Sequence, residues 1–176
     1  FHSTNDQAKT LIDVLDFTVS PMGSRMMKRW LALPLKNKLQ IEKRTEVVQY
    51  ILNNPDLTSV LEGNIKLIGD LERLISKVST TRVSPRECNQ LKQALNAIEP
   101  IKEACKNTNI SELKIISEQL NPCKIIADKI KNTITENPPA VVNKGNVIKK
   151  GINSELDELR NLSKSGKDYL QQILER

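Results

Sequence analysis

The chain has 176 residues, of which 38% are apolar, 27% charged and 3% aromatic, and its formal net charge is +6. That length builds one or two domains with a sizeable core, and that balance is too apolar for a disordered chain. So few aromatics and glycines weigh against a β-sandwich or barrel. No stretch approaches the ~20 apolar residues of a membrane span, and Lys and Arg interleave with Glu and Asp as on solvated helix faces.

Residues 1–10 are polar. Leu11, Ile12, Val14 and Leu15 form a short apolar run that fits a helix or an extended segment. A helix is predicted over about 20–33. Ser20 is placed to cap it, Pro21 takes the first helical position, and Met22, Met26, Trp30 and Leu33 share one face. Pro34 ends the run. The next helix runs from about Leu39 to Leu52, with Ile41, Val48, Ile51 and Leu52 as its buried stripe, and Asn53-Asn54-Pro55 stops it. Leu57, Val60 and Leu61 suggest one short helix. Ile65 to Val78 reads as a stronger one, followed by a loop at Ser79–Val83.

Ser84-Pro85 repeats the start signal, ahead of a helix bearing Cys88, Leu91, Leu95 and Ile98, which Pro100 is expected to kink or restart. Asn107 to Asn109 make a turn. Ser111 is read as the cap of a short helix with Leu113, Ile116 and Leu120. Pro122 opens another, carrying Ile126, Ile130 and Ile134. Pro138-Pro139 breaks the helical pattern, and Ala140 to Ile148 reads as a β-hairpin turning at Asn143–Asn146. Ser154 and Asp157 have capping-box spacing. A last helix then runs to Arg176 with Leu156, Leu159, Leu162, Leu170, Ile173 and Leu174 on its apolar side. Gly166 near that side suggests close approach of a neighbouring backbone. The expected fold is therefore all-α: a helical bundle over 1–139, a small β-hairpin at 140–153, and a long C-terminal helix from 154.

No constellation for catalysis stands out. His2 is the only histidine and cannot make a zinc site alone. Gly166-Lys167 is followed by Asp168 and lacks the first glycine of a phosphate loop. Glu155, Asp157 and Glu158 suit a helix dipole better than acid–base work. Asp70 and Arg73 can pair at i, i+3, and Ser20 and Ser84 have no histidine to activate them. Cys88, Cys105 and Cys123 lie far apart, as expected of reduced, mostly buried thiols in an intracellular protein. The basic tracts Lys28-Arg29, Lys36/Lys38, Lys43-Arg44 and Lys149-Lys150 lack stacking aromatics. Lys144, Lys149 and Lys150 could still meet phosphates. Catalytic, cofactor and metal residues are thus expected to be absent from this stretch, which is not read as an enzyme.

Four stretches carry a resemblance to the MutS family of DNA mismatch repair proteins. Leu11–Thr18 (L-I-D-V-L-D-F-T) looks like the lead into the first helix of the family's core, or lever, domain. Ser20–Leu35 is similar to its T/S-P-M-G-S-R-x-L-x-R-W-L-x-x-P-L pattern, although Lys36-Asn37 stand where an Asp is usual. Gly69–Arg73 (G-D-L-E-R) resembles its D-L-E-R helix. Val147–Arg160 is similar to its G-x-x-x-E-L-D-E-L-R stretch. The resemblance implies the first part of a core domain, linking an ATPase to a DNA clamp, in a dimeric bacterial protein that binds mismatched duplex DNA. It also implies ATP and magnesium for the intact protein, a second MutS subunit, downstream factors such as MutL, and a cytoplasmic, nucleoid-associated place. A recombination paralogue is the neighbouring reading. The chain starts at Phe1 rather than Met and ends in mid-helix, which is expected of a piece of something longer whose last helix self-associates. The alternative from another class is a stand-alone basic helical module that binds nucleic-acid phosphates with micromolar or tighter, steeply salt-dependent affinity.

Overall fold

The computed structural model describes residues 9–174, with side chains over 9–166. Nine α-helices occupy most of them: α1 (Leu11–Leu15), α2 (Pro21–Ala32), α3 (Lys38–Leu52), α4 (Pro55–Ile68), α5 (Leu71–Ser79), α6 (Pro85–Lys106), α7 (Ser111–Gln119), α8 (Lys124–Thr133) and α9 (Ser154–Leu174). The described residues are all-α, as expected from the composition. His2, and the side chains of Leu170, Ile173 and Leu174, lie outside what is described.

α6 is the axis of the bundle, with α4, α7 and α8 packed around it. One apolar cluster joins Leu91, Leu95 and Ile98 of α6 to Ala127 of α8, with Leu71, Cys123 and Ile130 against it. A second joins Ile101 and Cys105 of α6 to Leu113 of α7, with Val47 and Tyr50 of α3 and Leu57, Leu61 and Ile65 of α4 at its edge. Ile68 and Leu120 touch both clusters and make them continuous. Each fully buried Leu or Ile stabilises such a core by about 1.5–3 kcal/mol. Pro100 sits on the exposed side of α6 and the helix runs unbroken through it. Its missing N–H frees the carbonyl of Asn96, which is also exposed, so water can take up the lost bond.

Several local expectations need correction. The run Ile65–Val78 is two helices, because Gly69 has φ 61° and ψ −136°, a conformation that ends α4 and that side chains resist. Asp70 then caps α5 by accepting from the Arg73 amide. Ser111 lies inside α7, whose cap position is Ile110. Ser154 is likewise the first residue of α9. The side chain of Asn153, one residue earlier, accepts from the Leu156 amide at 2.9 Å. Nothing lies within 4 Å of the place a Cβ would occupy on Gly166, so no neighbouring backbone approaches it.

The β-hairpin is absent. Val142–Lys144 coils into one 3-10 turn, and the described residues hold a single antiparallel bridge, Ile134 to Ile148. Pro138 and Pro139 supply no N–H to a ladder next to Ala140. Val147–Lys149 pairs instead with the chain leaving α8: Thr135 N donates to Val147 O at 2.9 Å and Lys149 N to Thr133 O at 2.8 Å. Ile134 therefore ends α8 rather than extending its apolar row.

The outer helices bury less than their periodicity suggests. Ile41, Val48 and Leu52 of α3 face solvent, and Val47 and Tyr50 turn inward instead. On α2, Met26 is exposed and Trp30 is 44% exposed, and Leu33, at the C-cap of that helix, is exposed too. The Arg44 guanidinium stacks on the Trp30 ring, 3.8 Å from its centroid.

Candidate functional site

Two side-chain networks join elements that lie far apart in the sequence. The first ties α1, α2 and α5 together. Ser20 Oγ accepts from Gly23 N at 3.1 Å, the cap expected from Ser-Pro. A Cβ on Gly23 would stand 3.1 Å from Thr18 Cβ and 3.2 Å from Ser20 Oγ, so a side chain there would require these neighbours to shift. Ser24 Oγ donates to Asp16, which also accepts from the amide and hydroxyl of Thr18, so one carboxylate fixes the α1–α2 turn. These hydrogen bonds hold Asp16 below the usual carboxylate range.

Arg25 leaves the next turn of α2 and grips α5. Its Nη1 donates to Asp70 Oδ2 at 3.0 Å and its Nη2 to Asp70 Oδ1 at 2.7 Å, a bidentate fork, while its Nε reaches Glu72 Oε2 at 3.1 Å. The hydrogen-bonded Arg25 guanidinium lowers the Asp70 pKa, and Asp70 in turn raises that of Arg25, with Glu72 adding to it. The expected Asp70–Arg73 pair is present at 3.3 Å, but Arg25 is the principal partner. Two separate sequence motifs, Pro-Met-Gly-Ser-Arg and Gly-Asp-Leu-Glu-Arg, are thus the two halves of one contact.

The second joint is the root of α9. Asp157 Oδ2 accepts from Gly151 N at 2.6 Å, and Asp157 Oδ1 accepts from Arg160 Nη1 at 2.9 Å. Arg160 Nη2 donates to Ile148 O at 2.8 Å. The Gly151 amide is the main cause of the lowered Asp157 pKa. Ile148 pairs with Ile134, and the next residues are pinned to α6. There Asn89 Nδ2 donates to Thr135 O at 2.8 Å and Glu136 O at 2.9 Å, and Arg86 Nε to Pro138 O at 3.1 Å. A continuous chain of hydrogen bonds therefore runs from the first turns of α9 to the axis of the bundle. Asn89 is 7% exposed and donates to carbonyls of half-buried Thr135 and exposed Glu136, so losing it would weaken the hold of α6 on this segment.

The remaining candidate groups are scattered. Asp157 belongs to the α9 root, while Glu155 and Glu158 are exposed on the same helix. Ser84 caps α6 in a capping box with Glu87, and Glu87 also pairs with Lys77. The bond from Lys77, then those from Ser84, lower the Glu87 pKa to about 2. Lys43 of α3 lies 2.8 Å from Glu112 of α7, and its bond, then those from Ser111 and the Glu112 amide, lower the Glu112 pKa to about 2. Cys88, Cys105 and Cys123 are free thiols, and burial raises the pKa of the first two. Among the described residues no group of three or more His, Cys, Asp or Glu could hold a metal ion, and no helix is long and apolar enough to cross a membrane.

The roles of Arg25, Arg86, Asn89 and Arg160 are not evident from local spacing. Apart from the local Arg160–Asp157 pair, their partners lie 12 to 52 residues away. The only signal for Arg25 and Arg160 is that each falls inside a recognisable motif.

The family model for MutS domain III matches residues 1–176. The DNA mismatch repair protein MutS of Christiangramia forsetii is 51% identical over 176 residues, covering 100% of this chain and 20% of the relative. That of Bacteroides thetaiotaomicron is 53% identical over 174 residues, 99% of this chain and 20% of the relative. That of Parabacteroides distasonis is 52% identical over 172 residues, 98% and 20% respectively. The chain spans about a fifth of the length of the curated relatives it matches.

Proposed function

The chain belongs to the MutS domain III family, and from that premise we propose that it is a mechanical connector in a mismatch repair protein, carrying displacement between an ATPase and a DNA-gripping clamp. Residues 1–139 form its helical body, 140–153 the insertion beneath α9, and 154–176 the start of the lever. The observation that carries this reading is the bonded path from α9 through Arg160, Ile148 and Thr135 to Asn89. A helix of 21 residues spans about 30 Å at 1.5 Å per residue, so a fixed root is amplified at its far end. Coupling of this kind travels through a contiguous physical network, and the α9 root supplies one that ties lever and body into a single unit.

In this reading the chain itself performs no chemistry. The intact protein binds mismatched duplex DNA, pairs with a second MutS subunit, hydrolyses ATP with magnesium and signals to factors such as MutL in the bacterial cytoplasm. The relatives' shared description as mismatch repair proteins favours repair over a recombination paralogue.

The test is Asn89→Ala in the full-length protein. Basal ATP hydrolysis should persist while its response to mismatched duplex falls about fivefold or more, the scale of a lost coupling free energy. A thermal melt checks that the variant is folded. An unchanged response in a folded variant would refute the connector role.

A further inference from the structure

A second surface is not needed by that role. The turn at Val142–Lys144 and the first turns of α9 enclose a groove of about 800 Å³. Among the described residues its walls carry Lys144, Lys150, Arg160 and Lys164 against one carboxylate, Asp157. The grooves beside α5 and at Pro122 hold two cations and one carboxylate each. Asp157 is already spoken for by Arg160 and the Gly151 amide. Lys144, Lys150 and Lys164 carry no ion pair among the described residues, whereas Lys38, Lys43, Lys66, Lys77 and Lys124 are each paired with a glutamate. Positive charge is therefore left uncompensated around a concavity.

We infer that this groove is a contact for the phosphodiester backbone of duplex nucleic acid, made by Lys144, Lys150 and Lys164 and blind to base sequence. Three points fix the class of partner. Lysines act as mobile point charges suited to phosphate. Among the described residues the only apolar side chain lining the groove is that of Leu156, too little for the apolar anchors that dominate peptide docking. No aromatic lines it among the described residues, which leaves no stacking platform there of the kind that favours single strands. Lys149 is excluded from the contact, because its Nζ donates to Lys131 O at 2.6 Å. The contact adds to the connector role and does not depend on it.

The experiment is fluorescence anisotropy of the 176-residue chain with labelled duplex DNA across a salt series. Three phosphates imply an affinity that falls about 40-fold between 50 and 200 mM salt. Lys144→Ala, Lys150→Ala and Lys164→Ala combined should abolish most of that dependence. A control combining Lys92→Ala, Lys106→Ala and Lys114→Ala removes equal charge elsewhere and should keep it. Circular dichroism confirms that both variants are folded. Absent binding at low salt, equal losses in the two variants, tighter binding of a single strand, or displacement by polyglutamate at equal charge would each overturn the inference. Failure here leaves the Asn89 coupling test untouched, and the converse holds.

Discussion

Arg25 shows most clearly how little a single side chain reveals about its role until its partners are placed. Its bidentate grip on Asp70 joins α2 to α5 across 45 residues of sequence. Ser20 and Ser84, by contrast, announce themselves, because a cap and its amide lie three residues apart and the following proline fixes the frame. The same logic misplaces the caps of α7 and α9, where a neighbouring residue takes the position and spacing alone cannot choose between them. The carboxylates carry a consequence for acid stability. Glu87 and Glu112 titrate near 4.5 when unperturbed and at about 2 in the fold. Depressed folded values mean that their contribution is present above about pH 4.5 and is lost as pH falls towards 2. Urea midpoints measured between pH 5 and pH 3 should therefore drop, and Glu87→Gln should flatten the drop. A midpoint that rises on acidification would contradict the two ion pairs.

At the scale of elements, the helices were legible where periodicity and punctuation agree. The Ser-Pro start, the Asn-Asn-Pro stop and the apolar row of α6 all fall where the sequence places them. The Ile65–Val78 run was not, because Gly69 lies within an unbroken apolar period and only its positive φ reveals the stop. The hairpin expectation fails for a related reason. β-branched residues at 141–148 signal extended chain but not its partner, and Ile134, which fits a helical row, takes that place. Gly69→Ala should cost about 1–3 kcal/mol, since the backbone there is one that a Cβ resists. Guanidinium unfolding measures it. A neutral result would mean that the α4–α5 break relaxes freely and that the Asp70 cap does not depend on it.

For the whole molecule, what stays unburied matters as much as the core. Met26, Leu33, Leu159 and Leu162 are exposed on α2, its C-terminal edge and α9, and no other helix packs extensively on α9 among the described residues. Exposed apolar surface of this extent favours association. The chain alone should sediment with a concentration-dependent mass, and its α9 amides should exchange faster than those of α6. A strict monomer with a fully protected α9 would contradict this.

The connector role itself requires that α9 and α6 move as one body. Spin labels at Lys92 on α6 and Ser165 on α9, placed in the full-length protein, report that relation as a distance. The expected result is one narrow distance, unchanged by ATP and by mismatched duplex. A distance that broadens or shifts with either ligand would show that the lever is hinged at its root, and the connector account would fail.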